Sequence, residues 1–296
     1  MKILIIGCNG FIGRNAYDYF KAKNYQTYGA DINFSENAFF ILSSDLSNIH
    51  ELFQINEYDV CINASGSATV GFSIVNPNQD YILNYLNVVK IVQAITDKQP
   101  QCKFLNLSSA AVYGNPAQLP VKEDENTFPI SPYGKHKLQS EQLLKKYAIE
   151  HHLKTISLRV FSVYGNGLKK QLFWDIYQKS LFAQSITLHG KGNETRDFIH
   201  IDDLMLAIEK IILHANFQGE SINVASGKEY TIEAASTLLL KFLNPSFAVN
   251  FNGVQNQSDP LFWQADISKL ISLGFNPKVE LNEGLKKYAV WLKELN

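Results

Sequence analysis

The stretch K2-I-L-I-I-G-C-N-G-F-I-G13 joins two kinds of periodicity in one short span. Lys2–Ile6 is an apolar run without alternation, the pattern of a strand covered on both faces. Phe11–Ala22 carries apolar residues at helical spacing. Between them lies G-x-x-G-x-x-G. Glycine permits the backbone angles of a tight turn, and its missing side chain lets the main chain approach a bound group closely. A helix opening straight after such a loop offers free N–H groups and a partial positive charge, which suit a pyrophosphate. Spaced glycines alone say little. Placed after a strand and before a helix, they mark a dinucleotide site with Gly7, Gly10, Phe11, Ile12 and Gly13 at the phosphates.

The second apolar run, residues 27–31, ends in a carboxylate. There Asp31 can accept both ribose hydroxyls of an adenosine and would repel a 2′-phosphate, which favours NAD over NADP. The alternative for Asp31 is the cap of a strand-end turn. Asp45, in S43-S-D-L-S47, has two open readings: contact with an adenine edge, or a cap for the following helix. Leu46 beside it and Ala64 after the fourth strand complete the expected cofactor set.

Further strand-like runs at 39–42, 59–63, 103–107 and 155–160 alternate with amphipathic segments at 78–97 and 132–151. Strand and helix in alternation imply an α/β fold, a Rossmann-type doubly wound parallel sheet. Past residue 164 the pattern loosens, and a smaller, partly intertwined C-terminal α/β substrate domain is expected. The boundaries read as 1–163 for the nucleotide domain, with a return near 197–226, and 164–196 plus 227–296 for the smaller one.

Composition narrows the function classes. The 296 residues are 46% hydrophobic and 19% charged, with a net charge of −1. Neither nucleic acid nor an anionic membrane surface is an expected partner. Cys8, Cys61 and Cys102 sit in apolar or glycine-rich contexts as reduced packing residues, and no histidine or cysteine spacing suggests a metal site. No segment reaches the roughly 18 apolar residues of a spanning helix, and the N-terminal run is short for a secretory signal. A cytoplasmic location is expected. Arg14, Arg159 and Arg196 are the only arginines, so a bidentate anion contact has few candidates.

S131-P-Y-G-K-H-K137 places a tyrosine and a lysine four residues apart, on one helix face. Upstream, F104-L-N-L-S-S109 is an apolar strand that releases two serines at its carboxyl end, where ligands collect in open α/β sheets. Hydride transfer at a sugar carbon needs a base for the hydroxyl proton. A phenol near pKa 10 is a poor one at neutral pH, but an ammonium and a positive nicotinamide ring favour its phenolate. A serine hydroxyl can then orient the reacting oxygen.

G7-C-N-G-F-I-G13, S108-S-A-A-V-Y-G114, Y133-G-K-H-K137, L158-R-V-F-S-V-Y-G165, R196-D-F-I-H-I-D-D203 and A265-D-I-S-K-L270 occur in this order. The chain resembles the extended short-chain dehydrogenase/reductases, in the NAD-dependent nucleotide-sugar epimerase/dehydratase family, UDP-glucose/galactose 4-epimerases among them. The resemblance implies Tyr133 as base, Lys137 on the nicotinamide ribose and tuning Tyr133, and Ser109 on the substrate oxygen. It further implies substrate contacts from Ser108, Asn84, Ser162, Arg196 and Asp259, with Arg196 gripping a diphosphate. A nucleotide-diphosphate sugar is the implied substrate and a homodimer the implied assembly. Arg159 reads as structural.

Within that family, 4,6-dehydratases carry an Asp-Glu pair after the catalytic serine or threonine. Ala110 and Ala111 stand there and cannot move protons, which argues against dehydration. The first reading is a C4 epimerase that retains NAD. A64-S-G-S-A-T-V-G-F-S73 resembles a stretch of UDP-galactose 4-epimerases, without their lysine at Ala68. The second reading is an NAD(P)H-dependent 4-keto nucleotide-sugar reductase, favoured by the short chain. A third is a non-catalytic NAD-binding regulator, disfavoured because Tyr133 and Lys137 are both present. Asn256 and Ser162 replace the arginine and asparagine usual at their positions.

Overall fold

A computed structural model describes residues 1–182, 185–254 and 259–295. The apolar run Lys2–Ile6 forms strand β1, with Ile3, Leu4, Ile5 and Ile6 buried, and helix α1 follows at Phe11–Ala22. Burying such side chains is worth about 1.5–3 kcal/mol each. The chain forms two compact units.

The first unit comprises Met1–Gly114, Asn126–Val160 and Glu209–Ile222. With elements numbered along the chain, its strands are β1, β2 (Gln26–Asp31), β3 (Phe40–Ile41), β4 (Val60–Asn63), β5 (Lys103–Ser109), β6 (Thr155–Val160) and the start of β10 (Gln218–Val224). They lie in the order β3-β2-β1-β4-β5-β6-β10, and every pairing among the first six is parallel. The direction of winding reverses between β1 and β4, the switch point where such sheets open a ligand crevice. Helices α2 (Ile49–Leu52), α3 (Val70–Val75), α4 (Pro77–Tyr81), α5 (Asn87–Lys98) and α6 (Pro132–His151), with the end of α8 (Ile201–His214), complete the unit. Val88, Ile91, Val92 and Ile95 of α5 pack with Leu4, Cys61, Phe104 and Leu144 in one apolar core.

The helix expected at 78–97 is not continuous. A π-helical turn, Ile82–Leu86, joins α4 to α5, and the Asn84 carbonyl there accepts from Ser140 Oγ at 2.6 Å. β5 runs two residues past its expected end, to Ser109. α6 begins where Ser131 caps it, its hydroxyl accepting from the Gly134 N–H at 3.2 Å with Pro132 in the first turn.

The second unit comprises Asn115–Glu125, Phe161–Ile208 and Asn223–Asn296. Its strands are β7 (Ser162–Tyr164), β8 (Ser185–Leu188), β9 (Thr195–His200), β11 (Glu229–Thr231) and β12 (Ala248–Phe251). β9 is central to a β11-β9-β7 sheet, and β8 pairs with β12. Helices α7 (Gln171–Ser180), α9 (Ile232–Leu243), α10 (Ser268–Ser272) and α11 (Leu281–Lys293) belong here, with the first half of α8 (Ile201–His214). Asp197 of β9 is fully buried and accepts from Ser226 N and Oγ (both 2.8 Å), Gly227 N (3.0 Å) and Ala265 N (3.2 Å).

This division differs from the expected boundaries. Residues 115–125 group with the second unit because Val121 exchanges backbone hydrogen bonds with Gln264 and Asp266 (2.8 and 2.9 Å). The return to the first unit begins at Glu209, whose carboxylate accepts from Tyr19 Oη at 2.7 Å.

Candidate active site

The glycine loop is set by two close approaches. Gly7 has φ +83°, and a Cβ there would lie 2.7 Å from the Ser65 nitrogen beyond β4. A Cβ on Gly13 would lie 2.0 Å from the Gly7 carbonyl oxygen. Larger residues would push α1 off the loop and the loop off β4. Gly10 is the N-cap of α1 and brings no side chain to its first turn, so the N–H groups of Phe11 and Ile12 face no capping oxygen. That is the donor arrangement an anion requires.

Asp31 sits at the end of β2, mostly buried. One carboxylate oxygen accepts from the Asn9 N–H at 3.0 Å and the other from the Asn33 N–H at 3.1 Å. A carboxylate has about four acceptor positions, so two remain for hydroxyls. The strand-end turn and a ribose contact are therefore compatible roles. Burial first, and the Asp31 charge second, push the Cys8 thiol up to about 11, so it packs as a neutral group. Asp45 is fully exposed and accepts from the Ser47 N–H at 3.0 Å, which with the Ser47 and Ser43 hydroxyls holds it down at about 2. It caps the turn ahead of α2, while Leu46 is buried at φ +57°. The Ala64 N–H donates to the Ile6 carbonyl at 2.8 Å, holding the end of β4 beside the loop.

Ser109 ends β5, and its hydroxyl accepts from the Ala111 N–H at 3.2 Å. That hydroxyl lies near enough to Tyr133 to favour its phenolate. Tyr133 and Lys137, one turn apart on α6, are 8% and 5% exposed. The Lys137 ammonium lies 5.7 Å from the Tyr133 ring centre and donates to the Leu107 carbonyl at 2.8 Å. Gly134 lets α6 approach the turn after β5 this closely, because a Cβ there would lie 2.4 Å from the Ala111 oxygen. Burial pushes the Tyr133 phenol up to about 12, with the Ser109 hydroxyl pulling it down and the Asp80 charge pushing it up. Burial pulls Lys137 down to about 8, against the Asp80 and Glu141 charges that hold it up. The protein alone thus keeps the phenol neutral, and a phenolate needs added positive charge nearby.

Ser108 has a different environment. Successive residues of a strand face opposite sides, and the buried Ser108 hydroxyl donates to Glu141 Oε1 at 2.5 Å. Glu141 also takes the Arg159 fork, with Nη2 at 2.7 Å and Nε at 3.1 Å from both oxygens. Arg159 Nη1 donates to Tyr113 Oη at 2.8 Å. Arg159 is thus a buried structural cation, and Ser108 faces it instead of the side where Ser109 meets Tyr133. Asn84 is buried, donates to Asp80 Oδ1 at 2.9 Å and leaves its own Oδ1 without a partner.

Ser162, Arg196 and Asp259 lie in the second unit. Arg196 Nη1 donates to the Thr195 carbonyl at 2.8 Å, and the guanidinium stacks 5.4 Å from the Trp263 ring centre. Burial lowers its pKa, and the charges of Asp259 and Glu194 oppose that. Asp259 is exposed and Ser162 half-buried at the start of β7. Asn256 lies outside the described residues.

A model of the NAD dependent epimerase/dehydratase family matches residues 3–225. The chain belongs to that family. A Methanocaldococcus jannaschii protein provisionally named UDP-glucose 4-epimerase is 28% identical, over 99% of both chains. The UDP-glucuronic acid 4-epimerase of Bacillus cereus, solved with UDP-glucuronic acid and NAD, superposes with a TM-score of 0.89 at 27% identity, covering 100% of both chains. The UDP-glucose 4-epimerase of Thermotoga maritima shares the fold, with a TM-score of 0.91 at 24% identity over 100% of this chain and 99% of that one.

As a member of the epimerase/dehydratase family the chain is an enzyme and NAD is its cofactor. The residues present fit that group. Gly7, Gly10, Phe11, Ile12 and Gly13 would hold the pyrophosphate and Asp31 the adenosine ribose. Asp45, Leu46 and Ala64 would border the adenosine, and Tyr133 and Lys137 would meet the nicotinamide end. Asp80, His136 and Glu141 are further polar residues around Tyr133 and Lys137 that no motif marks. Their signal was spacing: Asp80 precedes Asn84 by one turn, and His136 and Glu141 lie on the same stretch of α6 as Tyr133 and Lys137.

Proposed function

We propose that this enzyme epimerises a nucleotide-diphosphate hexose, UDP-linked in the first instance, by transient oxidation at C4. The observation that carries the reading is the Ser109–Tyr133–Lys137 cluster at the end of β5, in the same unit as the Gly7–Gly13 loop and Asp31. NAD, when bound, supplies the hydride acceptor and donor. Ser109 orients the C4 oxygen. Tyr133 takes its proton as the sugar is oxidised and returns it after the sugar has turned. Lys137 holds the phenolate electrostatically, and Arg196, with a planar fork of donors, grips the diphosphate. Ala110 and Ala111 supply no acid or base, which fits epimerisation better than dehydration.

The short chain had favoured a 4-ketoreductase, but the Bacillus cereus epimerase matches it end to end, so length no longer separates the two. A homodimer is part of the proposal, since Ile74, Val75, Ile82 and Leu86 of the α3–α5 stretch are exposed. The test is to denature the purified enzyme and identify what it releases, then assay UDP-, dTDP-, GDP- and CDP-hexoses. Stoichiometric NAD(H) and interconversion of C4 epimers are expected. An empty site that prefers NADPH and consumes it with each turnover would establish the reductase instead. Tyr133→Phe should lower kcat about 10²–10⁴-fold with NAD still bound. Unchanged turnover would remove Tyr133 from the base role.

A further inference from the structure

Residues 133, 136, 137 and 140 fall on one stripe of α6. Tyr133 and Lys137 therefore share their face with His136 and Ser140. Opposite them stand two residues one turn apart, Asp80 on α4 and Asn84 in the π turn. His136 Nδ1 lies 2.6 Å from Asp80 Oδ2, and Asn84 Nδ2 donates to Asp80 Oδ1 at 2.9 Å. Ser140 Oγ donates to the Asn84 carbonyl at 2.6 Å, an acceptor that the widened turn presents sideways. Asp80 is 0% exposed. The His136 side chain is 13% exposed, with the Tyr81 ring edge-on at 5.3 Å.

We propose that Asp80 and His136 form a positioning pair that governs when Tyr133 gives up its proton, His136 screening the Asp80 charge from the phenol. The argument rests on Tyr133 being the base. A buried carboxylate acts through a poorly screened field, so a partner that can carry a proton alters what its neighbours feel. The Asp80 charge pushes Tyr133 up and favours the Lys137 ammonium. It therefore supports the lysine and opposes the phenolate. A protonated His136 cancels that field, and a neutral one leaves it.

Other groups around the pair are few. Lys137 feels the Asp80 charge from α6, Glu141 is engaged by Ser108 and Arg159, and the Tyr81 ring meets both His136 and Tyr85. α3 and the Ala110–Val112 turn, both packed on α6, contain no titratable residue. Lys90 of α5 donates to the Asp45 carbonyl, and Arg159 of β6 engages Glu141. Asp80 and His136 are thus the pair with charge to exchange beside the phenol.

The test uses the NAD-loaded enzyme. Ionisation of Tyr133 is followed as the ultraviolet tyrosinate difference between each protein and the same protein carrying Tyr133→Phe. Asp80→Asn should move the transition to lower pH by roughly 0.5–1 unit, and His136→Asn, which keeps a donor at the Nδ1 position but never a charge, to higher pH by a similar amount. The acid limb of kcat/KM should move with it. Transitions that stay in place, or move in the same direction, overturn the pair. If Asp80→Asn does not fold, His136→Asn carries the test, and an unmoved transition there overturns it. Full turnover in Tyr133→Phe would instead sink the base assignment, so the two failures can be told apart.

Discussion

Asp31 braces a turn and is proposed to bind the adenosine ribose as well. Its carboxylate braces the glycine loop through Asn9 while keeping lone pairs for a ribose. Charge-assisted hydrogen bonds are worth about 1.5–3 kcal/mol, so Asp31→Ala should raise the Kd for NAD about 10- to 100-fold, read by calorimetric titration. An unchanged Kd would leave Asp31 a turn cap only. At this scale sequence was informative about identity and poor about direction. Ser108 and Ser109 are adjacent and chemically alike, yet the pleat turns one to Glu141 and the other to Tyr133. The parity of β5 contains that distinction, but only once the strand is known to run as far as Ser109.

At the level of elements, the contact of α6 with the end of β5 sets the candidate site. Gly134 makes it possible, since its missing Cβ is the space taken by the Ala111 carbonyl. Alanine is the better helix former by about 1 kcal/mol, a gain opposed by the clash of its Cβ with the Ala111 carbonyl, so Gly134→Ala should lower stability and force α6, with Tyr133, away from the end of β5. Displacements of that size cost up to about 100-fold in rate. A fall in kcat of at least tenfold, with NAD still retained, is the expected result, and full activity would show that α6 can move without consequence. The strands β1 and β4–β6 were legible because each is buried along nearly its whole length, and β2, buried only in its second half, because it ends at Asp31. The π turn was not. It adds a residue to a helix whose periodicity otherwise continues, and its support comes from Ser140, 56 residues away.

Across the whole molecule, pH links stability to the buried carboxylate of the second unit. Burial raises Asp197 from 3.8 to about 6, against the four donors that lower it. Between those values the folded state holds the proton and the unfolded state has lost it, so stability falls as pH rises through the window. The full effect is on the order of 3 kcal/mol, present as a cost above about pH 6. Asp197→Asn should flatten that part of the stability curve in urea unfolding from pH 4 to 6.5. A curve that keeps its slope would assign the dependence to other groups. The second unit was the least legible part of the chain. Its short strands depend on partners such as Ser226, Gly227 and Ala265, which no local pattern pairs with Asp197.

Sequence alone determined the parts whose physics is local. An apolar run entering G-x-x-G-x-x-G, a carboxylate ending the next strand, and a serine-ended strand followed by Y-x-x-x-K each carry their chemistry in composition and spacing. Tertiary structure decided what depends on segments far apart along the chain meeting. It set the face to which Ser108 turns, the grouping of residues 115–125 with the second unit, and the placing of Asp80 against His136 beside Tyr133. The reason is physical: hydrogen-bond geometry and buried charge depend on distances through space, and in this protein Asp80 and His136, the pair proposed to tune Tyr133, come from helices separated in sequence by α5 and the strand β5.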